Sequence, residues 1–345
     1  MTVAIRTAVI GFGLSARVFH LPFVLASERY ELCAIASSRR DEVLAAHPGI
    51  ECFADPAELI RRADAELVII TAPNQAHHGL ARLALEHDRH VLLEKPVVVQ
   101  AHDGHDLIRL AGERRRVLAP FHNRRWDGDF LTVQGLIESG RLGEIKLFES
   151  HFDRFRPTPQ RRWRENAEPG SGILYDLGPH LIDQALALFG KPTALSARVL
   201  KTRPGAEAVD YFHLQLHYPN TEVILHSDPF GAGPNPRFRV RGSRGSYLKT
   251  GLDSQEARLR AGVRPDSDDW AAETPEQYGV LYHGEGQESI PTVTGGYQRL
   301  FENLADAIRH GAPLAVQPGE ALGSIELIEL ALRVQATGRT LPVAP

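Results

Sequence analysis

The sequence predicts an α/β protein in which a doubly wound parallel sheet precedes a second α/β domain with a large open, mainly antiparallel sheet. Strand-like and helix-like segments alternate with short loops as far as residue 121, which is typical of a parallel sheet. Beyond that point, strand-like segments joined by short turns predominate, which favours antiparallel pairing. The length of 345 residues suits two domains. We therefore expect one domain at 1–121 and another at 122–345, with a closing helix at 319–337 that packs back on the first domain.

The composition argues against several classes of function. The chain is 43% hydrophobic and 24% charged, which is ordinary for a soluble globular protein. The net charge of −4 argues against nucleic acid or an anionic membrane surface as a partner. Apolar runs stay far below the roughly 20 residues that a membrane helix needs. The chain has only two cysteines, Cys33 and Cys52, which is typical of a reducing compartment. Its N-terminus runs directly into a predicted strand, without a signal-peptide pattern. We therefore expect a cytoplasmic protein.

A glycine motif follows the first predicted strand, at residues 4–10. The sequence Gly11-Phe12-Gly13-Leu14-Ser15-Ala16 matches G-x-G-x-x-G/A, the dinucleotide-binding fingerprint of Rossmann folds, between a strand and a helix. In that motif Gly11 permits the tight turn, and Gly13 lets the backbone approach a pyrophosphate. The alternative is a generic tight turn between strand and helix. The position at the start of a strand–helix alternation favours a dinucleotide site.

The second predicted strand, at 31–36, indicates which dinucleotide binds. An acidic residue about 20 residues beyond the glycines binds the ribose of NAD, whereas arginine accommodates the 2′-phosphate of NADP. Here the strand ends in Ser37-Ser38-Arg39-Arg40, without a carboxylate before Asp41. A solvated polar turn is the simpler alternative. We expect NADP(H), with NAD(H) as the less favoured cofactor.

Two further strands, at 66–71 and 90–93, end in polar residues. The sequence Thr-Ala-Pro-Asn follows the first, at 71–74, and Glu94-Lys95-Pro96 follows the second. Ligands bind at the carboxyl edge of an open parallel sheet, so these ends should meet one crevice with the glycine loop. Lys95 is therefore either a surface charge or an amine that faces the cofactor.

The second domain shows mainly strand patterns. Helices are predicted at 297–310 and 319–336, and a long loop is expected at 252–295 because Gly, Pro, Asp and Glu are frequent there. An open sheet has one face to cover, and a second copy of the chain is a plausible cover. We expect a homo-oligomer, either a dimer or a tetramer. The predicted strands lie at 145–154, 194–201, 209–218, 222–227, 238–241 and 246–250.

Asp176 and His180 are the strongest chemical candidates in that domain. Pro179 is tolerated only in a first helical turn, so a helix should begin near 176–177, with both side chains on one face. Asp176 could instead be a helix cap and His180 a core histidine. A metal site would need a third ligand, for which only His151 and Asp153 are candidates. We predict no metal.

A basic and aromatic cluster spans 152–156 and 161–164. Basic residues interleaved with aromatics can bind a nucleic-acid strand, but the negative net charge argues against this. Two interpretations remain open. The cluster is either a solvated, ion-paired segment or the rim of a pocket for a polyol or an anionic substrate.

Taken together, these motifs resemble the glucose–fructose oxidoreductase/inositol dehydrogenase/MocA family. The matching stretches are G-F-G-L-S-A, T-A-P-N-Q-A-H, E-K-P and D-L-G-P-H, in the expected order. The longer runs F-H-N-R-R-W-D-G-D-F-L-T, H-F-D-R-F-R-P, Y-D-L-G-P-H-L-I-D-Q and V-D-Y-F-H-L are most similar to NADP-dependent scyllo-inositol dehydrogenases. The resemblance implies a Rossmann domain, a C-terminal domain with a large open sheet, and a cyclic polyol as substrate.

The resemblance also implies roles for individual residues. The catalytic residues would be Lys95, Asp176 and His180. The cofactor site would comprise Gly11, Phe12, Gly13, Leu14, Ser37, Ser38, Arg39, Thr71, Pro73, Asn74, His77, Glu94 and Lys95. The substrate pocket would comprise Asn123, Arg124, Asp153, Arg154, Arg156, Trp163 and His180.

Oxidation of a secondary alcohol requires removal of a hydride and a proton. Histidine titrates nearest neutrality, at about 6.5, so His180 is expected to move the proton, supported by Asp176. A lysine with its ordinary pKa of about 10.4 is a cation, so Lys95 is expected to polarise the reacting oxygen. The alternatives are a dehydrogenase of another sugar or polyol, or a non-catalytic nucleotide-binding regulator on the same fold. The resemblance also leaves open redox-neutral glycosidase chemistry with retained NAD.

Overall fold

The computed structural model describes residues 3–160, 163–267, 270–284 and 286–344, which form two compact units. The first unit comprises the described residues of Met1–Asn123, Gln255–Ala271 and Gly296–Leu322. The second comprises those of Arg124–Ser254, Ala272–Gly295 and Gly323–Pro345. The helix at Pro318–Thr337, which we label α11, therefore begins in the first unit and continues in the second.

The first unit is built on a six-stranded parallel sheet in the order β3-β2-β1-β4-β5-β6. The strand order reverses between β1 and β4, and such a reversal opens a crevice at the carboxyl edge of the sheet. The elements are β1 (Ile5–Ile10), α1 (Leu21–Ala26), β2 (Tyr30–Ala36), α2 (Arg40–Ala46), β3 (Glu51–Phe53), α3 (Pro56–Arg62), β4 (Leu67–Ile70), α4 (His77–Glu86), β5 (His90–Leu93), α5 (Ala101–Arg114) and β6 (Leu118–Pro120). Three helices follow in later segments of the chain, α9 (Gln255–Arg260), α10 (Gln298–His310) and the first residues of α11 (Pro318–Thr337).

Burial explains why this sheet forms. Every residue of Leu67–Ile70 is buried, as expected for a parallel strand that is covered on both faces. On one side, Phe23 of α1 stacks on Phe301 of α10 with ring centroids 5.0 Å apart. The late helix α10 thus completes the core of the first unit, and an apolar contact joins elements far apart in sequence.

The second unit is built on a nine-stranded sheet in the order β14-β13-β12-β11-β7-β10-β9-β8-β15. Its central pair, β7 and β10, is parallel, and all other pairs are antiparallel, which confirms the predicted mainly antiparallel sheet. The elements are α6 (Gly128–Glu138), β7 (Ile145–His151), α7 (Ile173–Asp176), α8 (Gly178–Phe189), β8 (Ala194–Leu200), β9 (Tyr211–His217), β10 (Glu222–Ser227), β11 (Pro236–Gly242), β12 (Ser246–Thr250), β13 (Gly279–His283), β14 (Gly286–Ile290), the remainder of α11, and β15 (Leu341–Pro342).

The two faces of this sheet differ in polarity. Alternate residues of β7, β9 and β10 are buried, which places Phe148 and Phe212 on one face. Phe148 packs against Phe189 of α8 with ring centroids 5.3 Å apart, so α8 covers that face. The opposite face carries polar and charged side chains, among them Glu149 and His213. We call it the open face.

The structure corrects the prediction for residues 252–295, which are not one long loop. They contain α9 and the hairpin of β13 and β14, which extends the sheet beyond β12. The sequence predicted a loop because glycine and charged residues are frequent in these elements. Gly279 is required in β13 because an added Cβ would lie 2.1 Å from the Tyr247 hydroxyl, and strand β14 is almost wholly exposed. The predicted strand at 145–154 is also shorter, since β7 ends at His151.

No described helix is long and apolar enough to cross a membrane.

Candidate active site

The glycine loop lies at the point where the strand order of the first sheet reverses. Gly11 has a φ of +99°, a backbone conformation that favours glycine. Its N–H donates to the carbonyl of Ala36 at 2.8 Å, and an added Cβ would lie 2.5 Å from Oγ1 of Thr71. In contrast, apart from its own neighbours along the chain, no described atom lies within 4 Å of the Cβ position of Gly13. The loop is therefore packed against β4 on one side and open at Gly13, which fits close approach of a pyrophosphate.

The other loop residues differ in exposure. The Phe12 ring is 4% exposed and meets the His47 ring edge-on at 5.9 Å, so it anchors the loop. Leu14 is 49% exposed. A short π-helical segment, Ala16–His20, then leads into α1, and Pro22 occupies the first turn of that helix.

One carboxylate connects this loop to the end of β5. Glu94 accepts hydrogen bonds from the hydroxyl of Ser15 and, at 2.9 Å, from the backbone N–H of Lys95. The Nε2 atom of His20 lies 3.0 Å from Oε1 of Glu94. Burial would raise the pKa of Glu94, but hydrogen bonding and charge from His20, Lys95 and Ser15 outweigh it and hold the pKa at about 2. Glu94 is therefore an ionised group that fixes the backbone beside half-buried Lys95.

The ends of β4 and β5 are joined through His77. Its ring is fully buried, with Nδ1 2.7 Å from the carbonyl of Pro96 and Nε2 2.9 Å from that of Ala72. Burial lowers the pKa of His77 against the opposing effect of these two hydrogen bonds. Asn74 begins the short 3₁₀ turn before α4 and is buried, whereas Pro73 is exposed. His77 thus holds the Lys95–Pro96 peptide, which is cis, against the loop after β4.

The turn after β2 is polar and exposed. The Ser37 hydroxyl accepts from the N–H of Arg39 at 3.0 Å, which closes the turn, and Ser38 is exposed. The Arg39 side chain is 53% exposed and lies 3.9 Å from Glu42. A guanidinium at this position can bind a ribose phosphate through charge-assisted hydrogen bonds.

In the second unit, Asp176 and His180 lie on two different helices, which corrects the prediction of one helix that begins near 176–177. The short helix α7 ends at Asp176, and α8 begins at Gly178 with Pro179 in its first turn. Proline cannot donate to the carbonyl four residues earlier, which accounts for the break between the two helices. His180 is 5% exposed in the first turn of α8, whereas Asp176 is partly exposed.

Asp176 lines a small cavity of about 60 Å³ in the second unit. Arg154, Arg156 and Arg164 lie on the same walls, and Nε of Arg164 is 3.8 Å from Oδ1 of Asp176. The structure therefore brings together three of the residues that the sequence assigned to catalysis or substrate binding. Cationic and anionic groups on one wall suit a ligand rich in hydroxyl groups, since these both donate and accept hydrogen bonds.

The helix that carries His180 is fixed by polar contacts that sequence reasoning missed. Arg125 binds Asp183 through two hydrogen bonds of 2.8 Å. Gln184 donates to the carbonyl of Arg124 at 2.7 Å and accepts from Arg237 at 2.8 Å. The available signal was that Asp183 and Gln184 are adjacent polar residues in a predominantly apolar helix. Burial lowers the pKa of the fully buried Arg237, with Asp129 opposing this at 3.5 Å.

The remaining predicted pocket residues lie in several places. Asn123 is buried at the end of the first unit, in a 3₁₀ turn. The guanidinium groups of Arg124 and Arg154 stack on the Phe152 ring, 5.0 and 4.8 Å from its centroid. The side chain of Trp163 lies outside the described part of the structure.

Asp153 does not line the cavity of Asp176. It faces His151 and His226 and lines, with His151, a larger cavity of about 400 Å³ in the second unit. Adjacent residues just beyond β7 thus point in different directions, Arg154 to the small cavity and Asp153 to the large one.

Comparisons with known proteins identify the family. Residues 5–122 match the family model described as "Oxidoreductase family, NAD-binding Rossmann fold", and residues 134–344 match "Oxidoreductase family, C-terminal alpha/beta domain". The chain belongs to the Gfo/Idh/MocA oxidoreductase family. This confirms the resemblance seen in the sequence, and the protein is an NAD(P)-binding oxidoreductase.

Relatives within the Gfo/Idh/MocA family cover the whole chain. The uncharacterized oxidoreductase YdgJ of Escherichia coli (strain K12) is 42% identical over 99% of both chains. The scyllo-inositol 2-dehydrogenase (NADP(+)) IolW of Bacillus subtilis (strain 168) is 39% identical over 98% of this chain and 95% of its own. The solved structure of the putative oxidoreductase yvaA from Bacillus subtilis is 38% identical, with a TM-score of 0.95 over 100% of both chains.

Proposed function

We propose that the protein is an NADP(H)-dependent polyol dehydrogenase that interconverts scyllo-inositol and its ketone, scyllo-inosose. The observation that carries this proposal is the 39% identity to IolW, a protein named for that activity, over 98% of the chain. The turn after β2 supports NADP(H), since Ser37, Ser38 and Arg39 stand where an acidic residue would bind the ribose of NAD.

The first unit offers what a dinucleotide requires. Gly13 leaves open space for the pyrophosphate, and Arg39 offers an exposed cation for the 2′-phosphate. When bound, the nicotinamide supplies the carbon that accepts or returns the hydride. The protein orients the substrate and moves the proton. We assign these tasks to Lys95, just beyond β5, and to His180, in the first turn of α8.

In this proposal, Lys95 donates a hydrogen bond to the reacting oxygen and stabilises its negative charge. The Glu94 carboxylate supports that role, because it accepts from the Lys95 N–H and so fixes the backbone from which the amine extends. His180 takes the hydroxyl proton during oxidation and returns it during reduction. Asp176 supports the charge that develops on the imidazole.

An activity assay on the purified protein tests the proposal. A panel of inositols and sugars is offered as substrate, with NADP and NAD in separate reactions. Absorbance of the reduced nicotinamide follows the reaction. We expect the highest kcat/KM with scyllo-inositol and NADP. A higher kcat/KM with another polyol or sugar replaces the substrate assignment, and no turnover with any polyol and either cofactor overturns the dehydrogenase proposal.

We also propose that the chain forms a homo-oligomer in the cytoplasm. The polar open face of the second sheet offers a surface that a second copy could cover. Light scattering on the purified protein measures the assembly, and a monomer at micromolar concentration contradicts it. The two free thiols, Cys33 and Cys52, suit a reducing compartment.

A further inference from the structure

The open face of the second sheet carries three histidines side by side. His151 on β7 is the register partner of His226 on β10, and His226 is in turn the register partner of His213 on β9. Residues in register on neighbouring strands project from the same face, so their rings meet. The ring centroids of His151 and His226 are 5.1 Å apart, and those of His213 and His226 are 5.8 Å apart.

A carboxylate lies between two of these rings. Oδ1 of Asp153 is 2.8 Å from Nδ1 of His226, and Oδ2 is 3.4 Å from Nδ1 of His151. The three residues each offer one ligand atom, and these atoms all lie within 4.8 Å of one another. A tetrahedral zinc ion with bonds of about 2.1 Å separates its ligands by about 3.4 Å.

A second carboxylate lies near one of these histidines. The other nitrogen of a ligating imidazole usually faces a carboxylate that orients the ring. Here Nε2 of His151 lies 3.8 Å from Oε2 of Glu149, and Arg239 holds that same oxygen at 2.8 Å. Among the described residues this buried Nε2 atom has no hydrogen-bond partner.

A cavity gives an ion access to the cluster. His151 and Asp153 line the cavity of about 400 Å³, together with Asn235 and Thr250. A cavity of that size leaves room for water or a small ligand as a fourth partner of the ion. Asp153 is absent from the walls of the cavity that contains Asp176, so this cluster is distinct from that cavity.

We propose that His151, Asp153 and His226 bind a divalent transition-metal ion on the open face of the nine-stranded sheet. Two imidazoles and one carboxylate select ions such as Zn²⁺ over Mg²⁺ or Ca²⁺, which prefer oxygen ligands alone. The competing explanation is that the two histidines only donate hydrogen bonds to Asp153. The two explanations differ in one respect, which is whether the protein takes up a metal.

A zinc titration distinguishes the two explanations. The tag-free full chain is first treated with a chelator to remove bound metal and is then titrated with Zn²⁺ in competition with a chromogenic chelator. We expect one high-affinity equivalent of Zn²⁺ in the wild-type protein. His226→Ala should weaken that affinity by at least about 100-fold, since loss of even an outer partner of a metal ligand costs about 10–100-fold. His217→Ala is the matched control. His217 lies on the open face and has a carboxylate partner, Glu222 at 2.9 Å, and its loss should leave zinc affinity unchanged.

Two further measurements exclude misfolding as the cause. Zn²⁺ should raise the Tm of the wild-type protein and of His217→Ala but not that of His226→Ala, because only a bound ligand stabilises by mass action. Asp153→Asn keeps the shape of the carboxylate and should lose zinc affinity as well. Wild-type protein that takes up no zinc, or equal zinc affinity in wild type and His226→Ala, overturns the site.

Discussion

His20 and Glu94 form a buried pair in the first unit, with Nε2 of the histidine 3.0 Å from Oε1 of the glutamate. The His20 ring is fully buried and packs against Phe121 and Phe301, with centroids 4.1 and 6.1 Å away. Because Ser15 donates to the same carboxylate oxygen, the glycine loop and the strand end that carries Lys95 are held together at one point.

Removal of His20 should destabilise the protein strongly. In His20→Ala, the Glu94 carboxylate stays buried with one partner fewer, and loss of one member of a buried pair costs about 3–5 kcal/mol. Urea unfolding measures this loss. The matched control is His78→Ala, because His78 pairs with Asp106 at 3.0 Å but is 31% exposed, and it should cost about 1 kcal/mol or less. Equal losses in the two variants would contradict a special role for the buried pair.

The depressed pKa of Glu94 predicts a loss of stability in acid. The pKa falls from 4.5 to about 2 on folding, so the carboxylate contributes stability that is complete above pH 4.5 and lost as the pH falls to about 2. The shift corresponds to about 3 kcal/mol. Glu94→Gln cannot titrate, and its free energy of unfolding should therefore fall less steeply over this range. If the free energy of unfolding fell equally steeply with pH in wild type and Glu94→Gln, the loss of stability in acid would not come from Glu94.

Alanine at the two glycines of the loop should have separate consequences. Gly11→Ala meets Thr71 and forces a positive φ, so it should lower the free energy of unfolding by about 1–2 kcal/mol or more. Gly13→Ala has open space and should change stability by less than about 0.5 kcal/mol. It should nevertheless weaken NADPH binding at least about ten-fold, because the methyl group occupies the path of the pyrophosphate. Unchanged NADPH affinity in Gly13→Ala would contradict this placement of the cofactor.

Lys95→Ala and His180→Ala should each abolish turnover while nucleotide binding survives. Loss of a general acid–base costs about 10²–10⁴ in rate, and loss of a charge-stabilising donor costs a similar factor. Steady-state kinetics and NADPH fluorescence titration measure the two properties. The control is Lys191→Ala, an exposed lysine just beyond α8. Near wild-type turnover in either of the first two variants removes that residue from the mechanism.

The turn after β2 should control cofactor choice. Ser38→Asp combined with Arg39→Ala supplies an acceptor for the ribose hydroxyls and removes the cation for the 2′-phosphate. The ratio of kcat/KM for NADP to that for NAD should fall at least about ten-fold, or about 1.4 kcal/mol. Arg40→Ala is the matched control, since its guanidinium donates to the carbonyl of Cys52 at 2.7 Å. An unchanged ratio in the double variant, or an equal fall in Arg40→Ala, would contradict the assignment.

Local sequence patterns determined the framework of both sheets. The predicted strand 90–93 has the bounds of β5, because a short apolar run between a helix and Pro96 leaves one place for a buried strand. The glycine motif placed its loop correctly after β1, since tight turns and helix starts depend on residues near in sequence. The sequence likewise placed Lys95 and Thr71 correctly, just beyond the ends of β5 and β4.

Tertiary structure alone decided which side chains meet. Gly279–His283 and Gly286–Ile290 form strands because β12 offers an edge with which β13 can pair, although glycine and polar residues are frequent in both segments. His226 reaches Asp153 across 73 residues because strand register aligns β10 with β7. Sequence separation on that scale carries no local signal. The sequence by itself thus determined the fold class, the family and the loops that suit a dinucleotide, whereas the break between α7 and α8 and the His–Asp–His cluster depended on long-range pairing and packing.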